Sequence, residues 1–223
     1  MTDRGRVALA TALLVGAVLV TFGGALNNEF VNWDDGNYIV INPLVTEVGR
    51  FGFRERLTTP SIGYPVPLPM LLYAWMWGLT TEPWLFHGLS LCVHLLNAVL
   101  FFRLLVAQTG RLRVAWAAAA GFALHPVVVE PVAWATGLKD LLVGTGCLLA
   151  ITWIRRGPPA LLGALIAFAS KPSAGLLGFA LPAFSWEAGQ RESLRRPAVW
   201  GTIVATAIAG LGVIAFAATQ ETE

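Results

Sequence analysis

Long apolar runs separated by short, arginine-marked breaks dominate the chain. Val7–Leu26, Trp84–Ala107, Val114–Trp134, Leu141–Ile154 and Ala198–Ala218 carry little charge, and Pro158–Trp186 is similar but is interrupted by "SKPS", Ser170 to Ser173. A helix needs about 20 apolar residues to cross the roughly 30 Å hydrocarbon core of a bilayer, so these runs predict membrane-spanning helices. The two halves around "SKPS" hold roughly 13 residues each and reach only about 20 Å, which predicts a broken hairpin with Lys171 below the outer surface. Pro172 ends the first half-helix there, and the next would aim free N–H groups at the same place.

The arginines set a topology. They cluster at Arg4/Arg6, Arg103/Arg111/Arg113, Arg155/Arg156 and Arg191/Arg195/Arg196. If each cluster is cytoplasmic, an even number of crossings separates successive clusters. The predicted fold is therefore an all-α polytopic membrane protein of about seven crossings, with outer loops opening at Asn27 and running from His125 to Asp140. One membrane domain covers 1–223, with the first span at 7–26, an outer loop at 27–83 and the remaining spans at 84–218.

That outer loop is longer than a connection requires. Within it, "EVGRFGFRERL", Glu47 to Leu57, suits a short interfacial helix or turn, and "YPVPLPMLLYAWMWGL", Tyr64 to Leu79, offers only about 12 apolar residues after its prolines. That is too short to cross, and it predicts a second interfacial or re-entrant helix anchored by Trp75 and Trp77.

Composition agrees with the pattern. Hydrophobic residues make up 56% of the chain and charged residues only 13%, which excludes an ordinary soluble domain. A net charge of +2 gives no reason to expect a nucleic-acid partner, and membrane lipid is the environment the runs imply. Cys92 and Cys147 fall inside apolar runs, away from any Cys/His cluster, and read as small hydrophobes rather than as a disulfide or a zinc site. The N-terminal run has basic residues before it and small residues after it, as a signal peptide does. Its length favours an uncleaved first span.

Under this topology the ionisable residues collect on the outer face, where they mark a functional site by default. Asp34 and Asp35 follow the first span in "WDDGN", a stretch that also suits a solvated turn. His87, Ser90, His94 and Asn97 share one helical face, and interhelical hydrogen bonding is the ordinary use of such a stripe. His125 and Glu130, each before a proline, either line the site or cap and redirect a helix end. Lys139 and Asp140 either line the site or form an exposed pair at the interface. Lys171, in its broken hairpin, is the hardest to explain as solvated. No ligand spacing around the two aspartates points to a metal, although two acids leave a divalent cation open.

The stretches "FVNWDDGNYIVINPLV", "FHGLSLCVHLLNAVL", "FALHPVVVEPVAWATGLKDLL" and "ASKPSAGLLGFALP" occur in an order and spacing similar to those of the transmembrane, tetratricopeptide-repeat O-mannosyltransferases and their bacterial relatives. These belong to the GT-C class of polytopic glycosyltransferases. The resemblance covers Val7 to about Trp186, and "HPVVVEPVAW…KD" is its most specific block. It departs at Ser90, where relatives commonly carry asparagine.

The resemblance implies transfer of a sugar, mannose in the named family, from a polyprenyl or dolichyl phosphate donor to an acceptor polypeptide or glycan on the outer or lumenal side. Asp34 or Asp35 would act as general base toward the acceptor hydroxyl, the other acid positioning it. Lys139 and Lys171, the only lysines, would hold the donor phosphate, with His87, His94, His125, Glu130 and Asp140 in support. No cofactor is implied beyond this lipid-linked donor substrate. A bacterial inner membrane is the expected location ahead of endoplasmic reticulum.

Relatives continue through further spans and usually into tetratricopeptide repeats, whereas 1–223 contains no helical repeat of about 34 residues. The expectation is thus an N-terminal membrane half, as a fragment, a truncated product or a stripped relative. Two alternatives are a non-catalytic membrane subunit and a small transporter, the latter using the His87/His94 stripe and the broken helix as its pathway.

Overall fold

A computed structural model describes residues 3–177 and 197–220, and among these every regular element is helical. In chain order the helices are α1 (Asp3–Phe22), α2 (Pro43–Thr46), α3 (Phe53–Thr58), α4 (Pro67–Leu79), α5 (Pro83–Thr109), α6 (Leu112–Ala123), α7 (Val129–Ala133), α8 (Leu138–Trp153), α9 (Ala160–Phe168) and α10 (Pro197–Gln220). Short 3-10 segments extend several of them: Gly23–Asn27 after α1, Ala135–Gly137 before α8 and Pro172–Leu176 beyond α9.

Four of the resulting helical stretches, Asp3–Asn27, Pro83–Thr109, Ala135–Trp153 and Pro197–Thr219, are long and apolar enough to cross a membrane. A fifth candidate is the pair Leu112–Ala123 and Pro126–Ala133, bent by 48°. The bend has a local cause. Pro126 lacks an N–H and disfavours helical geometry in the residue before it, so His125 is extended at φ −65° and ψ 138° and the helix stops at Ala123.

The described residues fall into two compact units. One comprises Met1–Phe30 and Glu82–Leu141, the other Val31–Thr81 and Leu142–Glu223.

In the first unit, α1 and α5 run antiparallel. Phe22 near the end of α1 meets His94 edge-on at 5.4 Å, and Leu26 lies against Gly88 near the start of α5. The α6 segment runs parallel to α1, since the Trp116 indole donates to Ala10 O at 2.9 Å and Asn28 donates to Ala133 O at 3.1 Å. The beginnings of α1 and α6 and the end of α5 therefore share one end of this unit, which carries Arg4, Arg6, Arg111 and Arg113. Only Leu14, Val18 and Phe22 of α1 are buried, a stripe at four-residue spacing, and its other residues are half-buried or exposed. The α5 helix ends on Gly110 at φ 65°, the left-handed conformation that glycine adopts without a Cβ clash.

In the second unit, α8 and α9 pack antiparallel through small residues. A Cβ built on Gly163 would lie 2.4 Å from Ala150 N and 2.7 Å from Gly146 O, so the backbones touch only because both positions are glycine. The same device joins the 3-10 turn after α9 to α10, where a Cβ on Gly210 would meet Gly175 O at 2.3 Å. The loop helices α2, α3 and α4 complete this unit. The α4 helix has the thirteen residues, Pro67–Leu79, of a segment too short to cross, with Met70, Tyr73 and Met76 buried and Trp75 exposed.

One expectation changes in detail. The first half of the hairpin is only nine helical residues, about 14 Å, because Gly157 and the Pro158-Pro159 turn delay its start to Ala160. Its second half, beyond Leu177, and the Arg191/Arg195/Arg196 cluster lie outside the described residues.

Candidate functional site

"WDDGN" forms a helical turn rather than an extended loop. Asp34 and Asp35 begin it, and a π-helical turn, Gly36–Val40, continues it. The two carboxylates meet different surroundings. Asp35 has no exposed surface, and its Oδ2 accepts the Val31 N–H at 3.0 Å, so this acid ties the loop to itself. Asp34 is half-buried and acts electrostatically on Tyr38, a buried residue hydrogen-bonded to Tyr64. Burial, then the Tyr64 hydroxyl and the Asp34 charge, push the Tyr38 hydroxyl well above its ordinary range and hold it neutral.

Just beyond this turn the loop is pinned by Asn42. Its Oδ1 caps α2 by accepting the Leu44 N–H at 3.0 Å, while its Nδ2 donates to Asn37 O at 3.0 Å and to Ser61 Oγ at 3.2 Å. The sequence reading missed this cap, although an asparagine before a proline is the signal that could have found it. Arg56 was not readable. Its buried guanidinium donates to Leu44 O at 2.8 Å and to the carbonyls of Val48, Phe51 and Gly52, so backbone oxygens hold the charge.

The helix break bearing Lys171 belongs to the same unit as the aspartates. Lys171 is half-buried, with extended backbone at φ −161° and ψ 135°, between the end of α9 and the 3-10 turn begun by Pro172. The loop helix α4 fastens this break, since Leu68 N–H donates to Ala169 O at 2.8 Å, and α4 also packs against the Gly36–Val40 turn. One short helix thus supports both the acidic turn and the lysine-bearing break. Beside the break lies an apolar cavity of about 350 Å³, whose lining includes Pro65 and Pro67, Phe168, Pro172 and the α10 residues Val213 and Phe216.

The remaining candidates belong to the other unit. His87, Ser90, His94 and Asn97 are all buried on one face of α5. His94 Nε2 lies 2.9 Å from Ala123 O and Asn97 donates to Leu141 O at 2.8 Å, so these two join α5 to α6 and α8. Ser90 Oγ and the Trp134 indole N–H are buried without a hydrogen-bond partner among the described residues. His125 is exposed and caps the 3-10 turn after it, its Nδ1 accepting the Val127 N–H at 3.1 Å, which leaves the proton on Nε2.

Glu130 is exposed in the first turn of α7. Lys139 and Asp140 open α8 but are not an exposed pair: Lys139 is only 5% exposed while Asp140 faces outward. Lys139, not Lys171, is the more deeply buried lysine. The compact "EPVAWATG" stretch before it depends on Gly137, where a Cβ would stand 2.6 Å from Pro131 Cα. No group of three His, Cys, Asp or Glu side chains converges as metal ligands among the described residues.

Among the described residues, these features are those of a polytopic helical membrane protein with four to five candidate spans and buried cationic and acidic groups. No protein-family model, curated protein or solved structure matches the chain.

Proposed function

We propose that this chain is a GT-C type glycosyltransferase, or the N-terminal membrane half of one. It moves a sugar, mannose in the family it resembles, from a polyprenyl phosphate donor to an acceptor hydroxyl on a polypeptide or glycan at the outer face of a bacterial inner membrane. About seven crossings would place Asp34, Lys139 and Lys171 on that face.

The observation that carries this reading is the apolar cavity beside Pro172, next in sequence to Lys171 and in the same unit as Asp34. An isoprenoid chain needs an apolar channel, its phosphate a point-charge cation such as lysine, and the acceptor hydroxyl a carboxylate base. Asp34 suits the base because its side chain is accessible, and the leaving lipid phosphate carries its own charge and needs no acid. Asp35 suits the positioning role, its carboxylate being committed to the Val31 N–H. Neutral Tyr38 supplies a hydroxyl beside Asp34 without adding charge.

Donor binding tests the reading. Lys171→Ala should weaken binding of polyprenyl phosphate by about fivefold or more, while Lys171→Arg, which keeps the charge but not its shape, should retain part of it. Equal binding by wild type and Lys171→Ala would remove this lysine from the site.

A further inference from the structure

We propose that the arginine-bearing end of the first unit holds an anionic glycerophospholipid. The site is a cavity of about 750 Å³ between α1 and α5, lined by Asp3, Arg4, Val7, Val15 and Arg103 among others. It follows α1 for about 18 Å, from Asp3 to Val15, roughly the reach of an acyl chain.

Its lining carries two chemistries, cationic and apolar, with Arg4 on α1 and Arg103 on α5 supplying the positive charge. Asp3 and Arg4 occupy one end, and from Val7 onward α1 contributes Ala8, Ala12 and Val15, with the Thr11 hydroxyl turned back onto Val7 O at 2.9 Å. Thr11 therefore presents no free donor. Neither the Arg4 nor the Arg103 side chain makes an ion pair or hydrogen bond among the described residues. Asp3, the acid lining the cavity, stands 3.9 Å from Arg6, which offsets its repulsion of an anion.

Arg103 lies within a helix long enough to cross the membrane, less than two turns before its end at Thr109, where a guanidinium requires an anion or a path to the headgroups. A phosphodiester with an attached acyl chain meets all three features, namely two unpaired cations, an apolar trough and a membrane-edge position. Zwitterionic lipid meets only the trough, because its own ammonium or choline offsets the phosphate. By the arginine rule this end faces the cytoplasm, where anionic lipids concentrate.

The test is native mass spectrometry of the purified protein with phosphatidylglycerol, phosphatidylcholine of the same acyl chains, and polyprenyl phosphate. Phosphatidylglycerol should be retained preferentially. Arg4→Gln or Arg103→Gln should each weaken its retention about fivefold and the pair by more, since one cation near a membrane surface contributes about that factor.

Arg103→Lys should recover most of the loss, and Arg50→Gln in the exposed outer loop should change nothing, which separates a charge effect from misfolding. Equal retention of phosphatidylglycerol and phosphatidylcholine by wild type would overturn the proposal. So would undiminished phosphatidylglycerol binding by the double variant, or a preference of this site for polyprenyl phosphate. Donor binding lost on Lys171→Ala but kept in the arginine variants would leave the two sites distinct.

Discussion

Asp35 has no exposed surface and its carboxylate accepts the Val31 N–H, whereas the adjacent Asp34 remains half-buried beside Tyr38. Removing Asp35 breaks a charge-assisted hydrogen bond to the part-buried Val31 N–H, so Asp35→Ala should cost about 1–3 kcal/mol of stability. Denaturation in detergent measures that loss, and a variant as stable as wild type would deny Asp35 its structural role. Tyr38 carries a pH signature. Its ionisation is pushed above the ordinary value near 10, so the unfolded chain releases this proton first and stability falls as pH rises above about 10. Below that value the contribution is fully present. Tyr38→Phe should flatten the alkaline decline in melting temperature, and an unchanged decline would place the effect elsewhere. The sequence made the acids conspicuous but not their division of labour, because a one-residue difference in burial depends on how the turn packs. It likewise gave no sign that Arg56 is buried, since backbone carbonyls that could neutralise it leave no pattern in side-chain identity.

The helices themselves were largely legible, because apolar length reports a span directly. The runs at Val7–Leu26, Trp84–Ala107 and Ala198–Ala218 became the long helices, the short α4 took its place in the loop, and the proline-rich "HPVVVEP" produced a bend. What spacing could not reveal is which glycines touch another backbone. Gly146 and Gly163 do, and Gly16 in α1 has nothing within 4 Å of a built Cβ. Gly163→Ala should therefore destabilise by about 1–3 kcal/mol through overpacking, whereas Gly16→Ala should be neutral or stabilise by up to about 1 kcal/mol through helix propensity. Thermal unfolding of the two variants measures the contrast, and equal melting temperatures would contradict the close α8–α9 contact.

In the first unit, contacts place Arg4, Arg6, Arg111 and Arg113 at one end of the helices and Asn28 with Ala133 at the other, an arrangement that charge parity along the sequence anticipates. Single cysteines, introduced after Cys92 and Cys147 are replaced, should react with an impermeant maleimide in intact cells at Asn37 but not at Arg111. Labelling at Arg111 without lysis would invert the map and remove the outer-face site with it. The proposed activity needs every part of the molecule at once: spans that place the loop outside, the helix break that offers Lys171, and the acid that takes the acceptor proton. The most direct measurement is therefore transfer of radiolabelled sugar from polyprenyl phosphate to an acceptor by the protein in proteoliposomes, comparing wild type with Asp34→Asn. The substitution keeps size and hydrogen bonding but removes proton affinity, so kcat should fall by about 10²–10⁴-fold with donor binding little changed. An Asp34→Asn protein that turns over at the wild-type rate, or a folded, donor-bound wild type that transfers nothing, would contradict the account.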